Sequence, residues 1–280
     1  MKKIVKITAG VALAAAIATT AGVLAGCADN NPGTSGKSGS GEAYSLTHGG
    51  DYVGYAKIVY TNDKVSELTL TEVCLPTQVE AGADVAEADK VTGTVSSHGT
   101  PAQKTYYKTI SYGSVTFTYD ATIPEGAQFS KGYVTDGKTI GEYFATEANA
   151  KAYYEAVTSN SVKVTVGGQQ KTDILNKATL SKEENGYWAR EDKNGDEYSR
   201  WKMNRDATVK YVKDNGTSKL DQLVKSTTDV ADLKEDKNVK PWTDGTVTTG
   251  ATWSDLNSDT IGKNYLSYVQ LILKADGAVK

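Results

Sequence analysis

The chain has 280 residues and a formal charge of −3 at pH 7, an acidic balance that argues against nucleic acid as a partner. Two cysteines cannot build a disulfide framework, and the two histidines, His48 and His98, stand without Cys, Asp or Glu at zinc-ligand spacing, so no metal site is expected.

Met1-Lys2-Lys3-Ile4-Val5-Lys6 gives a positive end, and Ile7 to Val23 follows without a charge, the pattern of a secretory signal. The run is short for a stable membrane span. It closes in Leu24-Ala25-Gly26-Cys27, which resembles the lipobox of bacterial lipoproteins. The resemblance implies that residues 1–26 are removed as a signal peptide. It also implies that Cys27 receives a diacylglycerol and palmitate-type acyl lipid, and that the chain is held as a lipid anchor on the extracytoplasmic face of the cell membrane. An ordinary signal peptide, or a single membrane span, that happens to end in Cys is the other reading. Loss of Lys2, Lys3 and Lys6 takes the formal charge from −3 to −6.

Residues 27–43, nearly all small or polar, are expected to form a flexible tether. From Tyr44 onward there is enough chain for one large domain or two small ones. A β-rich region over 44–160 and a C-terminal region over 161–280 are the natural division. Tyr52 to Tyr60, Asn62-Asp63-Lys64 and Val65 to Leu75 predict a hairpin around a polar turn. Val115, Phe117 and Tyr119 alternate with threonines, and Val162, Val164 and Val166 alternate with Lys163 and Thr165 before Gly167-Gly168, predicting half-buried strands. Thr146 to Val157 and Asn204 to Asp214 predict short surface helices, the second stopped at Asn215-Gly216. Leu256, Ile261, Tyr265, Tyr268 and Ile272 step at helical spacing and predict an amphipathic helix from about Ser254, with Gly262 in its middle. The expected fold class is α+β, with mainly antiparallel sheets, short helices and a C-terminal amphipathic helix.

The most informative segment runs Asp244-Gly245-Thr246-Val247-Thr248-Thr249-Gly250-Ala251-Thr252-Trp253-Ser254-Asp255-Leu256-Asn257. Small residues leading into a helix N-terminus suit a phosphate, because the backbone can come close and unpaired N–H groups point outward. The same residues also suit an ordinary turn and helix cap, in which Asp255 and Asp259 complement the helix dipole.

Thr249-Gly250-Ala251-Thr252 resembles the motif of FMN-binding domains of exported flavoproteins, in which FMN is joined by a phosphoester to the last Thr. Here that residue is Thr252; Val247 and Thr248 lengthen the loop from Asp244. The opening Gly49-Gly50-Asp51-Tyr52-Val53-Gly54 with its strand-turn-strand, together with Tyr187-Trp188 and Trp201-Lys202-Met203-Asn204-Arg205-Asp206, looks like lipoproteins of Gram-positive extracellular electron transfer. The resemblance implies covalent FMN at Thr252, with Thr249, Gly250, Ala251 and Trp253 around it; Trp253, Trp242, Trp188 and Tyr187 are candidates to cover the ring, with core packing as their equal alternative. Its implied partners are a flavin transferase, a membrane electron donor and an extracellular acceptor. It implies a carrier of electrons rather than a turnover enzyme, with no catalytic residues. The alternative is a non-enzymatic surface lipoprotein that binds a solute, glycan or envelope protein, a reading motivated by export, acidity and abundant Tyr.

Two further segments are read as structural. Asp192-Lys193-Asn194-Gly195-Asp196 opens like a calcium loop, but Glu197 stands where Gly is needed and Met203 where the closing Glu belongs, so a polar turn is expected. Cys74 follows strand residues Leu70 to Val73 and is expected to be a buried apolar Cys.

Overall fold

The computed structural model describes residues 36–280 except 77–78, 98–99, 121–131, 183–188, 233, 235–236, 255 and 258–263. The signal, the lipobox with Cys27, most of the tether, His98, Tyr187, Trp188, Asp255, Asp259, Ile261 and Gly262 lie outside the described residues.

The first three strands, β1 (Gly39–Thr47), β2 (Tyr52–Thr61) and β3 (Lys64–Cys74), form an antiparallel sheet in that order. The β2–β3 pair is the expected hairpin, turned through Asn62 and Asp63, both with positive φ. β1 begins inside the segment expected to be tether: Gly39 pairs with Tyr60 and Glu42 with Lys57. Its glycines serve close packing rather than flexibility. A Cβ on Gly41 would lie 2.1 Å from the Ala275 carbonyl oxygen, so only glycine lets the chain pass there. Lys37 then reaches Asp276 at 2.6 Å, and Tyr60 donates to the same carboxylate at 2.6 Å.

Next come β4 (Lys90–Ser97) and β5 (Thr100–Tyr107), which form a two-stranded ribbon, then β6 (Thr109–Tyr112), β7 (Val115–Tyr119), β8 (Tyr133–Thr135) and β9 (Lys138–Thr139). The helices α1 (Ile140–Phe144) and α2 (Glu147–Thr158) lead to β10 (Lys163–Val166) and β11 (Gln169–Lys171). These complete a six-stranded antiparallel sheet of order β11-β10-β6-β7-β8-β9. Because β10 pairs with β6, this sheet crosses the division drawn at residue 160. Gly36 to Lys280 forms one compact unit.

The C-terminal part contains α3 (Lys177–Leu180), β12 (Ala189–Glu191), β13 (Glu197–Ser199), α4 (Arg200–Asn215), β14 (Val224–Lys225), β15 (Val230–Asp232), β16 (Lys237–Val239), β17 (Trp242–Thr243) and α5 (Tyr268–Gly277). The strands form short ribbons β12–β13, β14–β17 and β15–β16. Strands and helices are thus mixed, the sheets are antiparallel and the chain ends in a helix, which is the α+β class expected.

Two helices differ from expectation. α4 starts four residues before Asn204, capped by Ser199, whose hydroxyl accepts from the Lys202 amide. It ends at Gly216 with φ 73°. It is not a surface helix on one side: Trp201, Asn204, Thr208, Tyr211 and Val212 are buried. The C-terminal helix begins at Tyr268 under a Ser267 cap rather than near Ser254, and none of the described residues between Thr252 and Ser267 is helical. Leu256 is buried in the core outside the helix, so its helical spacing with Tyr268 and Ile272 reflects shared burial and not one continuous element.

The three-stranded sheet is covered on both faces. α2 packs on β1 and β2 with Ala150, Tyr153, Ala156 and Val157 in one core, together with Tyr44, Leu46, Val73 and Cys74. α5 also packs on β1 and β2, and α4 packs on β3, in a second core with Ala56, Ile58, Leu68, Leu70 and Trp201. The Cys74 thiol is buried in the first of these cores and outside any disulfide.

Glu72 continues the buried phase of Leu68 and Leu70 on β3 and is fully enclosed. Its carboxylate accepts from the Lys182 ammonium, from the Thr47 hydroxyl at 2.5 Å and from the Trp201 indole N–H at 3.1 Å. Lys182 is also enclosed, its ammonium 3.8 Å from the Tyr52 ring centre. Burial pushes the Glu72 carboxyl up, but Lys182, His48 and the hydroxyl of Thr47 outweigh it and hold the group below its ordinary range. Removing one member leaves the other charge uncompensated in a closed interior. Lys182→Ala is expected to cost about 3–5 kcal/mol in urea denaturation, whereas Glu72→Leu combined with Lys182→Met restores most of that loss.

Candidate functional site

The loop expected to carry chemistry is built against α4. Trp242 on β17 donates its amide to the Ala251 carbonyl at 3.0 Å and accepts from the Thr249 amide at 2.8 Å, so the loop folds back on the strand. Asp244 caps the far turn: its carboxylate takes the Thr246 hydroxyl and amide, the Val247 amide at 2.7 Å and the Tyr211 hydroxyl at 2.8 Å. These bonds, led by the Thr246 hydroxyl, hold the Asp244 carboxyl well below the usual carboxylate range. Burial first, and then donation to Asp244, raises the Tyr211 hydroxyl.

The near end of the loop is pinned seven residues earlier on the same helix. The Asn204 Oδ1, buried, accepts from the Thr252 amide at 2.5 Å, the Thr252 hydroxyl at 3.2 Å and the Trp253 amide at 3.2 Å. Its Nδ2 donates to the Arg200 carbonyl at 2.8 Å. Positions 204 and 211 lie two turns apart on one face of α4, so a single helix face fixes both ends of the loop. Gly250, at φ 80°, crosses this face next to Ala207, a conformation that a side chain would strain.

Thr252 is half-buried at the edge of a cleft of about 340 Å³ lined by Arg200, Met203, Val230, Ala231, Asp232, Lys234, Val239, Gly250 and Thr252. Arg200 bridges two elements: its Nη2 donates to the Thr252 hydroxyl at 3.3 Å and its Nη1 pairs with Asp232 of β15 at 2.8 Å. Lys234 pairs with Asp192 at 3.0 Å. Met203 and Val230 are large apolar side chains left 45% and 44% exposed, and both face this cleft. Cation and hydroxyl thus stand beside open apolar surface, an arrangement that can hold a ligand with one anionic end and one flat apolar part.

Of the expected site residues, Gly250 and Thr252 line the cleft, whereas Thr249, Ala251 and Trp253 are buried behind it. Thr249 accepts from the Ala251 amide at 2.9 Å, a local turn bond. The Trp253 ring lies 4.0 Å from that of Tyr268, and Trp242 donates its indole N–H to the Trp253 carbonyl at 2.5 Å. Both tryptophans are therefore core residues, the packing role that the sequence left open beside ring cover. Among the described residues the expected helix N-terminus behind Thr252 is not found, and α5 starts at Tyr268; the helix that meets Thr252 is α4, through Arg200 and Asn204. Arg200, Asp232, Lys234, Val230 and Val239 were not legible as site residues in the sequence. Met203 and Asn204 lie in the segment Trp201 to Asp206, but neither is singled out there as a site residue.

The turn over 192–196 is the polar turn expected. Asp192 accepts from the Asn194 and Asp196 amides at 2.8 and 3.1 Å. Among the described residues no helix is long and apolar enough to cross a membrane. Comparison with protein-family models, curated proteins and solved structures finds no match.

Asn204→Ala strands the Thr252 and Trp253 amides. The expected loss is about 1–3 kcal/mol in chemical denaturation, with faster hydrogen exchange at those two amides. The Asp244 carboxyl is depressed in the folded state, so its stabilisation is complete above the unfolded pKa of about 4 and fades as pH falls below it. Asp244→Asn is therefore expected to lower Tm at pH 7, with the gap to wild type narrowing as melts are repeated toward pH 3.

Proposed function

We propose that this chain is a lipid-anchored extracytoplasmic electron carrier whose FMN is joined by a phosphoester to the hydroxyl of Thr252. The observation that carries the reading is the position of Thr252 in a motif of the flavin-binding type. Thr252 is half-buried and lines a cleft that also holds the cations Arg200 and Lys234 and the exposed apolar side chains of Met203 and Val230. The lipobox ending in Cys27 supports the anchor and the address.

The residues present fit such a group. Met203, Val230 and Val239 offer apolar contact for a planar ring system, and burying them removes surface that is otherwise costly in water. Arg200 and Lys234 offer positive charge to a phosphate. Bound FMN would supply one- and two-electron redox chemistry, while the protein places and shields it. Asn204 Oδ1 accepts a hydrogen bond from the Thr252 hydroxyl and fixes its direction, so the oxygen is presented rather than free to rotate. In attachment by a flavin transferase, the Thr252 oxygen forms the new P–O bond as the pyrophosphate link of a flavin dinucleotide breaks. The hydroxyl proton leaves with the nucleoside monophosphate. A membrane electron donor and an extracellular acceptor complete the reading, and a flexible tether would allow the carrier to meet both.

The test is in-gel flavin fluorescence of the protein from its native host after denaturing electrophoresis, beside Thr252→Ala. A fluorescent wild-type band that disappears in the variant is the expected result. A dark wild-type band with the transferase present would overturn covalent attachment and move the solute- or partner-binding reading ahead.

A further inference from the structure

Arg200 is held between two oxygen ligands. Its Nη1 pairs with Asp232 Oδ2 at 2.8 Å and its Nη2 reaches Thr252 Oγ1 at 3.3 Å, with the cleft beside all three residues. Among the described residues, Asp232 is the acid that lines the cleft, and Arg200 and Lys234 are its cations. Lys234 in turn is engaged by Asp192 at 3.0 Å. A guanidinium presents a planar fork of donors that can serve a carboxylate and a second oxyanion on different edges.

We propose that Arg200 is the phosphate-receiving residue of the cleft and that Asp232 is its built-in competitor, setting how strongly the cleft takes a phosphate-bearing ligand. The inference rests on the flavin reading above and deepens it. Nη2 already points at the oxygen that would bear the phosphoester, so a phosphate there meets a donor without a change of side-chain direction. Asp232 does two opposed things. It orients the fork through Nη1, and it offsets the cation's charge, so that anion binding is weaker than the bare guanidinium would give. It also lies on β15, whose partner strand β16 carries Val239 against the same cleft. Charge from Asp232 and apolar surface from Val230 and Val239 are thereby joined in one short ribbon.

The experiment uses the full mature chain without flavin, titrated with free FMN and, separately, with riboflavin, which has the same ring and no phosphate. Quenching of flavin fluorescence reads the affinity, and inorganic phosphate serves as competitor. Wild type is expected to bind FMN more tightly than riboflavin, with phosphate competing against FMN alone. In Arg200→Gln, FMN affinity falls roughly tenfold, the scale of one charge-assisted hydrogen bond, while riboflavin affinity is unchanged. In Asp232→Asn, FMN affinity rises severalfold and riboflavin affinity again stays put. A variant that merely misfolds loses both ligands alike; Asp232→Asn, which keeps the side-chain shape, then decides the matter by its sign. Equal binding of FMN and riboflavin by wild type, or no change of FMN affinity in either variant, overturns the role of Arg200 and Asp232 while leaving a flavin site standing. Failure of wild type to bind either flavin overturns this inference, while the flavin reading is decided separately by the fluorescent band after denaturing electrophoresis.

Discussion

A carboxylate with no access to water organises the centre of this fold. Glu72 sits on a strand covered from both sides, where an ionised group is tolerated only if its lone pairs are taken up. Lys182, Thr47 and Trp201 do so, and each comes from a different part of the chain: the segment after α3, the end of β1 and the first turn of α4. The backbone joins in, since the Lys182 amide donates to the Glu72 carbonyl at 3.1 Å. Apolar contacts alone would let α4 slide or turn on β3 with little change in buried area, because such contacts are not directional. The bond from Trp201 to Glu72 has one geometry, and it fixes the rotation of α4 at the turn from which Arg200 and Asn204 also project.

That rotation is what the cleft requires. Trp201 points inward to Glu72, Arg200 meets Thr252 and Asp232, and Asn204 meets the Thr252 and Trp253 backbone. Two turns further along the helix, Tyr211 holds Asp244. The loop has small residues and no secondary structure from Asp244 to Ser254 beyond an isolated bridge, so its shape comes from the helix it lies on. A loop of this kind is exact only when its polar groups are pinned at several points by a rigid element. Here the pins are side chains of α4, and the buried ion pair is what makes α4 a fixed reference.

The sequence spoke clearly where local pattern and tertiary environment agreed. The β2–β3 hairpin announced itself through its turn residues and flanking runs, and α2 through good helix formers after Thr146. It misled where glycine and serine had a packing purpose: Gly39 to Glu42 read as tether because their composition lacks apolar surface, yet an edge strand pressed against a helix end needs small residues more than large ones. The C-terminal helix was placed too early because Leu256 is buried at a spacing that happens to fit its continuation. The site was legible only at Thr252 and Gly250. Arg200, Asp232 and Lys234 are ordinary surface charges in one dimension, and their meeting depends on a ribbon and a helix whose register no local pattern records. Glu72 was invisible for a related reason, since an acid in an alternating strand reads as facing water, and a sheet covered on both sides leaves no water to face.

The ribbon of β15 and β16 has three residues in each strand, and a pair that short has little stability of its own. Its attachment is polar: Asp232 to Arg200, Lys234 to Asp192, and the Lys193 amide to the Lys234 carbonyl at 2.9 Å. Partly exposed ion pairs of this type contribute modestly, so the ribbon is the weakly held wall of the cleft, opposite the firmly held wall of α4. Apolar side chains on both walls, Met203 on the helix and Val230 on the ribbon, remain open to solvent. A flat apolar ligand between them would remove water from both at once and add the dispersion contacts that neither wall can make alone. On the flavin proposal, the group attached at Thr252 would therefore complete the packing of this corner as well as supply its chemistry, and the ribbon would be held by its cargo.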